Sequence, residues 1–433
     1  MKMDLFKIGQ RNTSTRVELT AGLTTFLTMA YIILVNPAIL AEAGMQRDAV
    51  MVATCLATGI VTIATGLACN APIAMAPGMG LNAFLAYSLV KTGRMSWQTG
   101  LGVVFLSGLL CLLLTLLGLR RRLVEAIPPG IVAAISVGIG LFITFIGLVN
   151  MGVVVHSDTT LVAAGPISPR VAIALSALIL MAFLEAKQVR GALIIGILFA
   201  TILGLAFGYV ERPARITLSG LSIRPVAWRL DILGALRWSV LGSVFSLMFM
   251  DMFDSIGTLV ACCHQAGMVD KDGRIRGLDG LLAIDGAASM LGAALGTSTI
   301  TSYIESAAGI QEGGRTGLTA VVTGLCFIAA ILLAPVAAIV PGFATGPALV
   351  MVGFFMLRGI RMIDLERIDE AFPAFVIIVM IALSYNISTG LAFGFISFTL
   401  IKLLSGKAGQ VKPAMWAISV LSAAYLAAEN LPR

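Results

Sequence analysis

Charge is scarce in this sequence. Asp, Glu, Lys and Arg make up 12% of its 433 residues and hydrophobic residues 58%, whereas an ordinary soluble domain is about 25% charged. Lipid rather than water is therefore the main solvent of the chain. Histidine is scarcer still: only His156 and His264 occur, and neither stands beside a nucleophile in a buried stretch, which argues against an enzyme. No Gly-x-x-x-x-Gly-Lys-Ser/Thr loop is present to cradle phosphates, so pumping driven by ATP is not expected. Six cysteines occur, Cys55, Cys69, Cys111, Cys262, Cys263 and Cys326. All lie in or beside apolar runs, which excludes a disulfide framework in the outer loops. Cys262-Cys263-His264 falls short of the four converging ligands of a structural metal site, because neighbours on a helix diverge. No metal and no cofactor is expected. The net charge of +7 comes without a basic run interleaved with aromatic residues, so nucleic acid is not an expected partner.

What the sequence has instead is apolar runs near the length that crosses a bilayer, about 20 residues for a helix. Candidate spans fall at 19–40, 48–68, 72–90, 98–118, 128–150, 170–186, 191–210, 239–262, 278–295, 298–311, 316–340, 345–357, 372–385 and 388–404. These fourteen spans leave no room for a separate soluble domain, so residues 1–433 form one all-α polytopic membrane domain. A further apolar piece, 414–430, is peppered with small and polar residues and is left open between span and surface helix. With the N-terminus in the cytoplasm, Lys2, Lys7, Arg11, Arg16, Arg120-Arg121-Arg122, Lys187, Arg190, Arg358, Arg361, Lys402 and Lys407 all fall inside, as the positive-inside rule requires. The longer 211–237 segment, with Arg212, Arg215, Arg224, Arg229 and Arg237, is the exception. The first apolar run follows a polar arm and lacks a cleavage pattern, so it is expected to stay in the membrane.

Seven spans precede the 211–237 segment and seven follow it, and an odd number inverts the second half. Transporters are commonly built this way, with the substrate at the midplane between interrupted helices. The third span of each half is irregular. One reads Asn70-Ala-Pro-Ile-Ala-Met-Ala-Pro-Gly-Met-Gly-Leu-Asn82, where Pro72 and Pro77 remove backbone donors and Gly78 and Gly80 loosen the chain. The other, span ten, reads Gly296-Thr-Ser-Thr-Ile-Thr-Ser-Tyr-Ile-Glu-Ser-Ala-Ala-Gly309, rich in hydroxyls and β-branched residues that favour extended backbone. Helix is expected only from about its midpoint. An offset of 222 residues lays 19–40 over 241–262 and brings Asn82 and Glu305 to one level. Irregular backbone at this depth needs a cavity or protein to satisfy it, so a site between the two breaks is expected.

An acidic side chain at bilayer depth costs about 2.5–3.5 kcal/mol on insertion scales and is a functional hypothesis by default. Asp251 and Asp254 lie at i, i+3 on one helical face, and Glu305 lies in the second break. For Asp254 a structural role stands beside the functional one. Asp285 is expected to pair locally near the inner end of its span, and Glu185 and Lys187 to flank a solvated turn.

Asp251-Met-Phe-Asp-Ser-Ile-Gly-Thr258 and Gly296-Thr-Ser-Thr-Ile-Thr-Ser-Tyr-Ile-Glu-Ser306 resemble the AzgA-like purine permeases of the nucleobase–cation symporter group. Thr24-Thr-Phe-Leu-Thr-Met-Ala-Tyr-Ile-Ile-Leu-Val-Asn-Pro37, Ala76-Pro-Gly-Met-Gly-Leu-Asn-Ala83 and Gly313-Gly-Arg-Thr-Gly-Leu-Thr-Ala320 resemble that family's other signatures, and the likeness covers nearly the whole chain. The resemblance implies 14 spans in 7+7 inverted repeats, with spans 3 and 10 broken, a core (17–122 and 238–340), a gate (123–212 and 341–410) and a C-terminal segment (411–433). It implies that Asp251 and Glu305 bind the base with Asn82 nearby, beside Gly80, Leu81 and Ile304, and that Asp254, Glu305 and Asp251 support the site or couple it to protons. Secondary active uptake of purines across the inner membrane by proton symport follows, with a homodimer possible; an acid at Asp251 facing N1 of the base favours hypoxanthine and guanine, with adenine possible. A purine's N–H groups suit carboxylate acceptors. Its faces need apolar walls, for which Phe26, Phe84, Phe249 and Phe253 are available. The rivals are an anion transporter of the same fold, a carrier of xanthine or uracil, and a channel. The isolated acids argue against the first and last.

Overall fold

Without water to satisfy the backbone, an apolar chain closes its hydrogen bonds within helices, and helix dominates the computed structural model. It describes residues 6–11, 13–91, 95–120, 127–210, 222–270, 275–334 and 339–430. Arg121, Arg122, Arg212, Arg215 and Lys2 lie outside these. In chain order come α1 (Thr15–Met29), α2 (Ile32–Ala41), α3 (Arg47–Cys69), β1 (Met75–Pro77), α4 (Met79–Ala83), a π-helical turn Phe84–Lys91, α5 (Trp97–Leu116), α6 (Pro129–Met151), β2 (Val154–Ser157) and β3 (Leu161–Ala164). After them come α7 (Pro169–Ala186), α8 (Ala192–Ala206), α9 (Ile232–Ala235), α10 (Trp238–Gln265), α11 (Leu278–Leu295), β4 (Ile300–Ser302), α12 (Ser306–Gln311) and α13 (Gly317–Ala329). The last are α14 (Gly342–Met356), α15 (Ile368–Ser384), α16 (Ile387–Leu404) and α17 (Pro413–Asn430). Starts follow local chemistry: Ser14, Ser96, Ser168, Thr316 and Asn386 each cap a helix with a side-chain oxygen, satisfying a first-turn N–H.

Nine helices among the described residues are long and apolar enough to cross a bilayer, against fourteen expected. Hydropathy alone counts every apolar run, whereas α8 has 15 residues and α15 has 17, and residues 70–91 and 298–311 contain strand. The chain is mostly helical, as expected, with one hairpin that the all-α expectation did not include. Beyond the paired strands β1 and β4, β2 and β3 form an antiparallel hairpin, with Val155 opposite Ala163. Its outer face is exposed, where water can satisfy strand edges and helix is no longer compelled. The 414–430 piece is helix α17, laid against α16 and tied by a Ser419 Oγ donation to the Phe395 carbonyl at 2.9 Å.

The helices pack in two groups. In one, α1 and α3 lie against α13, and α5 against α11; in the other, α6 lies against α14 and α15, α7 against α8, and α15 against α16. Small residues let backbones approach where there is no hydrophobic force between helices. At the α3–α13 crossing a Cβ on Gly317 would stand 1.9 Å from the Gly66 carbonyl oxygen. That neighbour is rigid backbone, so Gly317→Val should destabilise the purified protein by about 1–3 kcal/mol through overpacking. A melting temperature equal to wild type in detergent would show that this crossing carries no such load.

Candidate functional site

The two irregular segments meet. β1 and β4 pair antiparallel, Met75 opposite Ser302, Ala76 opposite Thr301 and Pro77 opposite Ile300. Pro77 has no N–H to donate to the ladder, so neighbours complete it: Gly78 N–H donates to the Thr299 carbonyl and Tyr303 N–H to the Ala74 carbonyl, both at 3.0 Å. Side chains do the rest. The Tyr303 hydroxyl donates to the Pro77 carbonyl at 2.5 Å, and Ser306 Oγ accepts from Ala74 N–H at 3.0 Å. Short strands buried in protein thus have their polar groups satisfied without water.

Glu305 immediately precedes α12 and is half-buried; the hydroxyl of Tyr31, in the break between α1 and α2, donates to its Oε1 at 2.9 Å. Asp254 on α10 is exposed and lies within electrostatic reach of Glu305. Gly257, Ala261 and His264 continue an exposed face below it, at the spacing of one helical stripe. Nothing stands within 4 Å of where a Cβ on Gly257 would be. Ile304, the chain neighbour of Glu305, is 52% exposed. Of the sequence candidates, then, Asp254, Ile304 and Glu305 keep accessible surface, and Asp254 and Glu305 lie within electrostatic reach of each other.

Most of the others are enclosed. Asp251 is fully buried; its Oδ2 accepts from Ser289 Oγ at 3.2 Å, and its Oδ1 has no partner among the described residues. Asn82 is fully buried with both ends of its amide used: Nδ2 donates to Asn36 Oδ1 at 2.5 Å and Oδ1 accepts from Ser298 Oγ. Asn36 in turn donates to Thr54 Oγ1 at 2.7 Å and Thr297 Oγ1 at 3.0 Å. This chain of amides and hydroxyls bonds α2 and α3 to both irregular segments. Leu81 is buried, and a Cβ on Gly80 would stand 2.5 Å from Ile139 Cγ2, marking the close approach of α4 to α6. Phe26 stacks edge-on against Phe327, Phe84 is fully buried, and Phe249 and Phe253 belong to a ladder of rings along α10.

Asp285 and Arg120 differ from the sequence expectation. Arg120 is not in solvent: it is 1% exposed and its Nη2 meets Asp285 Oδ2 at 2.8 Å. Asp285 therefore pairs 165 residues away rather than locally. Sequence reasoning also passed over Tyr31, Asn36 and Thr54; the usable signal was a polar residue inside an apolar run, such as Asn36 between Val35 and Pro37. Cys262 and Cys263 are buried while His264 is exposed, and Cys262 Sγ approaches the Tyr303 carbonyl at 3.8 Å. A cavity of about 1040 Å³ lies elsewhere, between α5, α10, α16 and α17, lined by Thr99, Trp238, Ser243, Phe249, Phe395 and Tyr425 among others, with none of the three acids in its wall. The accessible carboxylates Asp254 and Glu305 mark the better place for recognition of a polar solute.

The sequence pattern of the family described as "Permease family" matches residues 16–393. The chain is 38% identical to the adenine permease AdeP of Escherichia coli, over 96% of this chain and 94% of that one. It is 39% identical to the guanine/hypoxanthine permease PbuG of Bacillus subtilis, over 97% of this chain and 98% of that one. Among solved structures, the transmembrane domain of the cyanobacterial bicarbonate transporter BicA superposes with a TM-score of 0.65 at 16% identity, covering 88% of this chain and 97% of that one. At that identity the likeness concerns fold alone.

Proposed function

The chain belongs to the permease family that residues 16–393 match, a family of transporters and not of enzymes, and from that premise we propose that it takes up purine nucleobases by proton symport. The relatives named for adenine and for guanine and hypoxanthine support the substrate class. The observation that carries the reading is that Asp254 and Glu305 both keep accessible surface and lie within electrostatic reach of each other; this reading places them at one open crevice beside the β1–β4 junction. A carboxylate accepts hydrogen bonds and donates none, which suits the ring and exocyclic N–H groups of a purine. Two acids repel an anion, which disfavours the anion transporter of the same fold. In this reading Asp254 and Glu305 hold the base, Ile304 lines its berth, and Asp251 stands one helical turn behind, with Asn82, Gly80 and Leu81 shaping the wall from the other segment.

The same reading takes the architecture as fourteen spans in two inverted sevens. It is supported by nine long helices, by α8, α13 and α15, and by the two strand-and-helix segments at 70–91 and 298–311. The two packing groups correspond to a core of α1–α5 with α10–α13 and a gate of α6–α8 with α14–α16. With the chain in the inner membrane and its N-terminus in the cytoplasm, an orientation the Lys and Arg pattern favours, α10 runs inward. Its open face from Asp254 to His264 then gives the crevice a cytoplasmic mouth, a state that releases substrate.

Hypoxanthine and guanine carry an N1–H donor beside a carbonyl, whereas adenine has a bare N1 acceptor beside an amino group. A carboxylate facing N1 rewards the first pair, and a polar group left unpaired costs about 1–3 kcal/mol. Uptake of labelled hypoxanthine into a purine-transport-deficient bacterium expressing the protein should be displaced by unlabelled hypoxanthine and guanine about fivefold or more better than by adenine, and abolished by a protonophore. Adenine competing best would reverse the proposed orientation of the base, and uptake that follows a sodium gradient and ignores the protonophore would remove the proton.

A further inference from the structure

Where α10 and α11 pack on β4 lies a second polar cluster, which includes neither Asp254 nor Glu305. Arg120 Nη2 meets Asp285 Oδ2 at 2.8 Å and Nη1 donates to the Leu282 carbonyl at 3.0 Å, with both side chains 1% exposed or less. Asp285 Oδ1 accepts from Ser255 Oγ at 2.7 Å, and the Ser302 backbone N–H also reaches this carboxylate. Ser255 Oγ lies 2.8 Å from Thr301 Oγ1, and Ser302 Oγ donates to the Ser255 carbonyl at 3.2 Å. Ser289 Oγ donates toward the Ile300 carbonyl at 3.1 Å. All three residues of β4 are thereby held from α10 and α11, and the one charge pair in that web is Arg120–Asp285.

We propose that Arg120 and Asp285 are positioning residues for the transport site: they fix β4 against α10, and so set where Glu305 stands relative to Asp254. Glu305 follows β4 by three residues, and Asp254 is the chain neighbour of Ser255. The web thus joins the two elements that carry the crevice acids without touching the crevice. A buried ion pair is a poor source of stability, since well-packed apolar residues in its place are often neutral or better. What it supplies is direction: the guanidinium fork takes one geometry against a carboxylate and a carbonyl, and displacing a binding group by about 1 Å can cost on the order of 100-fold in function.

This inference rests on the purine reading for one arm of its test and not for the other. Purified protein in nanodiscs carries Arg120→Met with Asp285→Leu, in a background of Cys69→Ser and Cys326→Ser. Two quantities are read: binding of the purine that wild type prefers, and the rate at which a thiol reagent labels an Ile304→Cys substitution. The double variant should remain monodisperse and melt within about 5 °C of its parent. It should nonetheless bind purine about tenfold or more weakly and change the labelling rate about threefold or more, as a displaced binding group does. A folded double variant with both quantities within about twofold of its parent overturns the proposal. If the double variant does not fold, Ser255→Ala with Thr301→Val keeps the ion pair and removes the side-chain part of its link to β4, the Ser255–Asp285 and Ser255–Thr301 bonds. A change of about threefold or more in both quantities then supports the proposal, and no change in either overturns it. Should wild type bind no purine, the functional reading fails and the labelling arm alone decides the positioning claim.

Discussion

Glu305→Gln is expected to transport purine at about one hundredth of the wild-type rate or less, while reaching the membrane in normal amount. The amide keeps the shape and can still accept from the Tyr31 hydroxyl, now 2.9 Å from Glu305 Oε1, so the fold has little reason to change. What it loses is the charge behind a hydrogen bond to a base N–H, and bonds to charged groups are worth about 1.5–3 kcal/mol, on the order of 10- to 100-fold in affinity. It also loses the capacity to exchange a proton, which a symporter needs at some acid in its path. Radiolabelled uptake with a membrane-expression control checks this. Wild-type uptake by the Gln variant would remove Glu305 from both substrate binding and coupling, and with it the reading of the crevice. Tyr31→Phe should have the smaller effect, since it removes one orienting donor and leaves the carboxylate.

Asp254→Asn should change which purine is preferred as well as how fast it moves. The side chain is exposed at the crevice, so an amide of equal size fits, and it brings an N–H donor that a carboxylate lacks. Hypoxanthine uptake should fall about tenfold or more, whereas adenine, with a bare N1, should gain on hypoxanthine as a competitor by about fivefold or more. The competition series described for wild type, repeated on the variant, measures this. If the ranking stays as in wild type while uptake falls, Asp254 serves coupling or structure and does not read the base.

Much of this could be read before any coordinate. Pro72, Pro77 and the β-branched run after Gly296 marked two places where helix must fail, and extended backbone is found at Met75–Pro77 and Ile300–Ser302. A Pro cannot donate, and crowded hydroxyls compete for backbone bonds, so local chemistry was enough. The acids Asp251, Asp254 and Glu305 stood out because charge is expensive in an apolar run. The hairpin at 154–164 was not legible, because a short β-branched stretch outside a span has no periodicity long enough to distinguish strand from loop.

Composition and local pattern by themselves determined that this chain lives in lipid, where it cannot remain helical, and which carboxylates bear functional cost. Those properties follow from the solvent and from neighbours within a few residues. Only the tertiary structure decided that Asp254 faces open space while Asp251, one turn away, is sealed; that Asn82 spends its amide on Asn36 and Ser298; and that Arg120 leaves its basic run to meet Asp285. Exposure of a helical face depends on what packs against it, and a guanidinium's partner depends on which helices lie within its reach. Neither is encoded at short range, since the residues concerned are separated by up to 216 positions and are brought together only when the helices and the two irregular segments pack.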